Sequence, residues 1–394
     1  MSDYRLCDYC AGKAYYDSGV DYRDSSSTVL CGICSMFFEV QPLPKYEHRH
    51  LFQTENLIGT LFRKTYSHGM YSIDLDTGNI FSLQGREETL EGTFRANYVG
   101  FFPPIKKFVD ITGLLTVISS DIEVEMNDPS NLNASFVIPS QENAAEYQSY
   151  VPTSIVKNVK EYINDPTAGP IAQLQGSIAV AQAILDNTGN VYNENGISLL
   201  SKVIYKLNAF LISTLEESVD GDHFRSVNGY IKVPRHLNSE DWESVKFALQ
   251  KYLKYMILFS TQNLKLIGGN VVDMYYCYAI PISIGLFNTN NVKEIRELSQ
   301  ELLTIQFFGV LREAMNSENR VGKKKVYLMP VGGGVWNNPR NNIAKAVENA
   351  LRMLVTQYDR KYILKKLDII FLTYNQSPNE GRVFTTLFGD MVKK

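Results

Sequence analysis

No stretch of this chain is long and apolar enough to cross a bilayer as a helix. Its opening residues, Met1 to Cys10, have no apolar core of the kind a secretory signal carries. The expectation is an intracellular protein with no membrane partner. Charge of one sign is missing too: 39 basic residues face 42 acidic ones, for a net charge of −3. That balance argues against extensive nucleic-acid binding, and the triplet Lys323-Lys324-Lys325 reads as a solvated turn before a strand. Histidine is scarce, at five residues, and His48 and His50 around Arg49 read as a polar connector rather than a metal pair. Internal repeats and low-complexity segments are absent. Apolar and aromatic residues are well supplied, at 44% and 12%, so 394 residues should fold around more than one core.

Five cysteines are present, and four of them form two pairs, Cys7-x-x-Cys10 and Cys31-x-x-Cys34. In a reducing compartment this spacing reads as zinc rather than disulfide. Four thiolates close a tetrahedral site and leave no position for a substrate water, so the zinc is structural. Residues 1–40 are therefore expected to form a zinc module. The fifth, Cys277, lies in an aromatic stretch and reads as a core residue.

Residues 41–150 lean to β-structure. Tyr71 to Leu83 alternates apolar and polar residues around Asp76-Thr77-Gly78, a hairpin pattern. Further β-type runs are Phe94 to Phe102, Leu114 to Ser119 and Ala134 to Pro139. Residues 151–235 turn helical, with candidates at Ser154 to Ile163, Ile171 to Leu185 and Ser198 to Leu215. From 236 to 394 strands and helices alternate. A helix with Ser239 as N-cap runs to about Lys254. It is followed by an apolar strand, a helix from Val292 to Met315, and a strand from Val326 to Pro330. A helix from Asn342 to Tyr358 and a strand from Leu367 to Tyr374 complete the series. Such alternation predicts a layered α/β fold with a mainly parallel sheet, whose ligands gather at the carboxyl ends of the strands.

Two apolar runs in this last region empty into glycine. One is Met256 to Asn263, continuing Leu264-Lys265-Leu266-Ile267-Gly268-Gly269-Asn270-Val271-Val272-Asp273. The other is Val326 to Val331, continuing Gly332-Gly333-Gly334-Val335-Trp336-Asn337-Asn338-Pro339. Backbone amides in such loops can converge on phosphate oxygens, because glycine permits positive φ and close approach. Two such loops suggest a ligand with a diphosphate at its middle.

These residues resemble macrodomains, the ADP-ribose-binding modules. Asn263-x-x-Leu266-Ile267-Gly268-Gly269-x-x-Val272-Asp273 is similar to the family's first ligand loop, with Ser260 in place of its first Asn. Gly332 to Pro339 is similar to its second loop, and Ile343 to Leu351 and Leu367 to Leu372 resemble the next helix and strand. The resemblance implies a macrodomain-like α/β module over 236–394, a mixed sheet flanked by helices. Before it would come the zinc module, the β-rich segment and the helical segment. It also implies roles. Asn263 would contact the distal ribose, and Asp273 would position or activate a water at the anomeric carbon. Gly268 and Gly269 would wall the cleft, Gly332, Gly333, Gly334 and Val335 would cradle the diphosphate, and Trp336 would pack on the ribose. ADP-ribose or ADP-ribosylated protein is the implied partner, and hydrolysis of an ADP-ribosyl bond is the implied activity. Two other readings stand beside it: a non-catalytic ADP-ribose reader, and an interaction protein whose N-terminal region docks a protein partner.

The cysteine spacing leads to a direct test. Protein purified under reducing conditions without chelator should carry about one zinc per chain, and Cys31→Ser should lose it. Elemental analysis reads both, and metal-free wild-type protein would count against the zinc module.

Overall fold

The computed structural model describes residues 91–142, 199–214, 223–227, 229–234, 237–266, 270–282, 292–317, 322–334, 336–374 and 378–393. Before residue 91 it describes only short backbone strand segments. Cys7, Cys10, Cys31, Cys34, Gly268, Gly269 and Val335 lie outside the described residues, as do the candidate helices Ser154 to Ile163 and Ile171 to Leu185.

An eight-stranded sheet organises the chain. Its strands are β1 (Tyr46–Leu51), β2 (Glu91–Tyr98), β3 (Leu115–Ser119), β4 (Ser135–Pro139), β5 (Ile257–Lys265), β6 (Val271–Cys277), β7 (Lys324–Leu328) and β8 (Leu367–Thr373). Their spatial order is β1-β2-β5-β6-β4-β7-β8-β3. From β6 to β3 every pairing is parallel, whereas β1, β2, β5 and β6 pair antiparallel in turn. This is the mixed sheet flanked by helices that the macrodomain resemblance implies. The division of the chain is different from the expected one. β2, β3 and β4 come from the segment expected to be a separate β-rich region, yet they share one sheet with the strands after 257. Residues 91–139 and 257–373 thus build a single unit.

The central strand explains why. In β4 the first four residues, Ser135 to Ile138, are all buried, as a parallel strand covered on both faces must be. Such a short strand has little buried area of its own and is held by its neighbours. Elsewhere the small hairpin was legible: Tyr71–Ile73 pairs antiparallel with Ile80–Ser82.

The helices are α1 (Ile122–Asn127), α2 (Ser201–Thr214), α3 (Ser239–Tyr252), α4 (Val292–Asn316), α5 (Arg340–Gln357), α6 (Arg360–Lys366) and α7 (Pro378–Phe388). Along α4, every residue from Leu302 to Leu311 is buried, so this helix lies inside the protein rather than on it. Gly309 lets it close on the sheet: a Cβ there would sit 3.3 Å from Leu258 Cδ2. Buried polar groups on α4 are put to use. Gln306 accepts from the Tyr278 amide at 2.7 Å and donates to the Tyr278 carbonyl at 2.8 Å. Ser299 Oγ accepts from the Ile280 amide at 3.1 Å. Helix side chains therefore do for the chain beyond β6 what a neighbouring strand would do. Among the described residues, no helix is long and apolar enough to cross a membrane.

The start of α3 shifts by one residue from the sequence reading. Asn238, not Ser239, is the N-cap. Its side chain accepts from the Glu240 and Asp241 amides, and Asp241 returns a bond to the Asn238 amide, closing a capping box. Asn238→Ala should lower stability by about 1 kcal/mol in urea unfolding, whereas Ser239→Ala should change it little.

Candidate functional site

Strand direction separates the two glycine loops. β5 and β6 are antiparallel neighbours, with Leu264 opposite Val272 and Lys265 opposite Val271. The first loop is therefore the turn of a hairpin, closed by the Leu266 amide on the Asn270 carbonyl at 2.7 Å. It lies at the amino end of β6. The second loop follows the carboxyl end of β7, which runs parallel to β4 and so to β6. The two ends of the sheet are separated by the length of β6, about 20 Å. The expectation that both loops wall one cleft is overturned by this polarity.

The residues expected to carry hydrolysis belong to the hairpin end. Asp273 is 8% exposed and sits beside Lys324, itself 4% exposed. One carboxylate oxygen is bonded by Lys324 Nζ and lies 3.5 Å from Ser135 Oγ; the other accepts from the Asn263 amide at 2.8 Å. Asp273 thus ties β5, β4 and β7 to β6, and both of its oxygens are engaged. Lys324, expected in a solvated turn, is the buried first residue of β7. Asn263 has φ 52° at the irregularity in β5, with an exposed side chain. Its amide, rather than its side chain, meets Asp273. Ser260 is buried within β5. Asn270 is buried as well, donating to the carbonyls of Met126 and Asp128 at 2.7 and 3.0 Å, so it packs the hairpin onto the end of α1.

At the carboxyl end a different set converges. The second loop turns tightly: Gly333 N–H donates to the Pro330 carbonyl, and Asn338 N–H to the Gly332 carbonyl, both at 2.9 Å. Gly332 has φ +76°, and a Cβ on it would sit 2.6 Å from Ala279 Cβ and from Asn338 Nδ2. Only glycine fits there. Asn337 is also left-handed, at φ 54°. Asn338 is buried and donates to the Ile280 carbonyl at 3.1 Å, joining the loop to the segment that Gln306 and Ser299 hold. Gly334 is exposed, with open space where a Cβ would stand. The loop ends at Pro339, which caps α5 without a side-chain hydrogen bond. Among the described residues the amides of Gly332 and Gly334 have no acceptor. An uncapped helix start with free amides attracts anions.

Trp336 stands over this loop, partly exposed, with edge-on contacts to Tyr230 at 6.1 Å and Tyr278 at 5.7 Å. Behind it lies the chain leaving β4. Gln141 donates to Tyr230 Oη at 2.8 Å. Glu142 is fully buried and accepts from the Leu200 amide at 3.0 Å and Ser226 Oγ at 2.7 Å. Tyr278 Oη accepts from the Ile231 amide at 3.0 Å. Burial raises the Tyr278 phenol well above its ordinary range, and the Glu142 charge raises it further, against the opposing pull of the Ile231 bond. Cys277, at the end of β6, is buried and pushed up by desolvation alone.

Gln141 and Glu142 were not singled out from the sequence. The available signal was the uninterrupted run Phe136-Val137-Ile138 followed by polar residues, the mark of a buried parallel strand and its carboxyl-end loop.

No protein-family model matches the sequence, and no curated protein matches it. Solved structures similar in fold are macrodomains. A Trypanosoma brucei macrodomain in complex with ADP has 10% identity and a TM-score of 0.33, over 73% of this chain and 74% of that one. The same organism's macrodomain in complex with ADP-ribose has 9% identity and a TM-score of 0.31, over 73% and 72%. An Oceanobacillus iheyensis macrodomain with MES bound has 9% identity and a TM-score of 0.30, over 74% and 96%.

The ion pair at the hairpin end should behave as structure. Asp273→Asn or Lys324→Met alone should cost about 3–5 kcal/mol, because each strands a buried partner. The double variant should be more stable than either single variant in urea unfolding.

Proposed function

We propose that the loop from Val331 to Pro339, with the start of α5, binds the diphosphate of ADP-ribose or a related nucleotide. The observation that carries this reading is the loop itself. It joins the carboxyl end of a parallel strand to an uncapped helix, and the amides of Gly332 and Gly334 have no acceptor among the described residues. The similarity of Gly332 to Pro339 to the second loop of macrodomains supports the choice of ligand. Trp336, partly exposed beside the loop, supplies an aromatic face for a ribose or base.

Binding without turnover fits the geometry better than hydrolysis does. Asn263 and Asp273, the residues expected to perform the reaction, are occupied at the other end of the sheet. A hydrolase would need its water activated by other groups at the carboxyl end.

Calorimetric titration of the full chain with ADP-ribose should show saturable binding, with ADP also bound. Gly334→Val places a side chain on the open side of the loop without a clash. It should weaken binding about tenfold or more while leaving the melting temperature near wild type. Asn263→Ala, at an exposed position of the hairpin end, should bind as wild type. No heat at millimolar ADP-ribose, or an unaffected Gly334→Val, would overturn the reading.

A further inference from the structure

The connection between β2 and β3 presents apolar side chains to solvent from an immobilised backbone. Its sequence is Gly100-Phe101-Phe102-Pro103-Pro104-Ile105-Lys106-Lys107-Phe108-Val109-Asp110-Ile111-Thr112-Gly113. Phe101 is 81% exposed, Phe108 fully exposed and Ile105 39% exposed. Single exposed apolar residues are ordinary on a protein surface. Here three fall in one short segment, and the backbone that carries them is clamped.

Both ends of the segment are tied down. The Gly100 amide donates to the Lys254 carbonyl, and the Gly113 amide to the Asp390 carbonyl, each at 2.9 Å. Three arginines from successive helices bond to carbonyls along the segment and just before it. Arg312 of α4 donates to the carbonyls of Phe101, at 2.7 Å, and of Val99. Arg352 of α5 donates to the Lys107 carbonyl at 2.5 Å. Arg360 of α6 donates to the Thr112 carbonyl and pairs with Asp110 at 3.5 Å. These bonds hold the backbone beside Phe101 and on either side of Phe108.

The charge around these side chains is positive. Lys106 and Lys107 lie between Ile105 and Phe108, and both are exposed. α6, reached through Arg360, adds exposed Lys361, Lys365 and Lys366 and the half-exposed Tyr362. Most of the acids nearby are already engaged, Asp390 beside Gly113 being exposed. Asp110 pairs with Arg360, Asp359 caps α6, and Glu348 is held by Lys345 and Arg352. Local positive charge therefore stands out on a chain whose net charge is −3.

We infer that this face docks on an anionic lipid surface, with Phe101, Ile105 and Phe108 entering the headgroup boundary and the lysines meeting lipid charge. Protruding apolar tips ringed by lysine suit a soft, negatively charged interface. A second copy of the chain would bring the same positive charge against itself, which opposes self-association through this face. Of the exposed apolar residues only Phe101 and Phe108 could stack on a base, whereas these two, Ile105 and Pro104 all suit acyl chains. A surface contact of this kind requires no spanning helix. It also leaves the glycine loop clear, because Arg352 lies about 18 Å along α5 from the helix start at Arg340.

The test is co-sedimentation of the full chain with vesicles of phosphatidylcholine alone and of phosphatidylcholine with phosphatidylserine. Protein should pellet with the serine-containing vesicles and stay in solution with the others. Phe101→Ser combined with Phe108→Ser should reduce pelleting about tenfold, as should Lys106→Glu combined with Lys107→Glu. Both pairs are exposed, so the melting temperature should stay near wild type, which separates lost docking from lost folding. Absence of pelleting with phosphatidylserine vesicles would overturn the inference. So would pelleting that the phenylalanine pair leaves unchanged, which would mark a general polyanion contact, and so would loss of the effect in favour of binding to single-stranded RNA or an acidic protein.

Discussion

The antiparallel pairing of β5 with β6 decides where everything else in this protein can act. Once those strands form a hairpin, the turn between them must lie at the amino end of the parallel strands. The buried contact of Lys324 with Asp273 fixes that arrangement, because it joins β7 to β6, while the Asn263 amide joins β5 to the same carboxylate. An ionised pair taken out of water is stable only when its remaining hydrogen-bonding capacity is used. Here the second carboxylate oxygen is satisfied by the backbone amide that the left-handed Asn263 presents. A residue pattern that resembles catalytic machinery is thus consumed in holding the sheet together.

The opposite end is built by polar side chains that substitute for missing strand neighbours. Beyond β6 the chain leaves the ladder, and Gln306 and Ser299 take over its amide and carbonyl groups. Asn338 then bonds to Ile280 and carries the second glycine loop onto this segment. Buried backbone groups left unpaired are costly, so each of these side chains is required wherever regular structure stops. The outcome is a rim on which the second glycine loop is held by backbone and side-chain hydrogen bonds. The rim and the hairpin thus lie at opposite ends of the sheet, and the clamped loop runs from the carboxyl end of β2 to the amino end of β3.

Much of this was legible along the chain. α4, α5, β7 and β8 fall within two residues of their expected limits, because long periodic segments and buried β-runs carry strong local signals. The loop from Gly332 to Pro339 was legible for the same reason: it has a strand before it and a helix after it. The central place of β4 was not visible. Five residues of apolar sequence say that a strand exists, but nothing in them names its neighbours, which come from β6 and β7 far along the chain. Lys324 was misjudged on similar grounds. A lysine triplet looks solvated until a carboxylate from another strand is brought to it.

Local sequence was enough to specify which of the described segments become strands and helices and where glycine is needed, because backbone sterics and hydrophobic periodicity act over a few residues. Strand direction and sheet order emerged only with the tertiary structure. These place Asp273 with Lys324, bring Gln141 and Glu142 behind Trp336, and put the two glycine loops at opposite ends. Pairing energies depend on residues hundreds of positions apart, and a strand's own side chains look the same whichever way its neighbour runs.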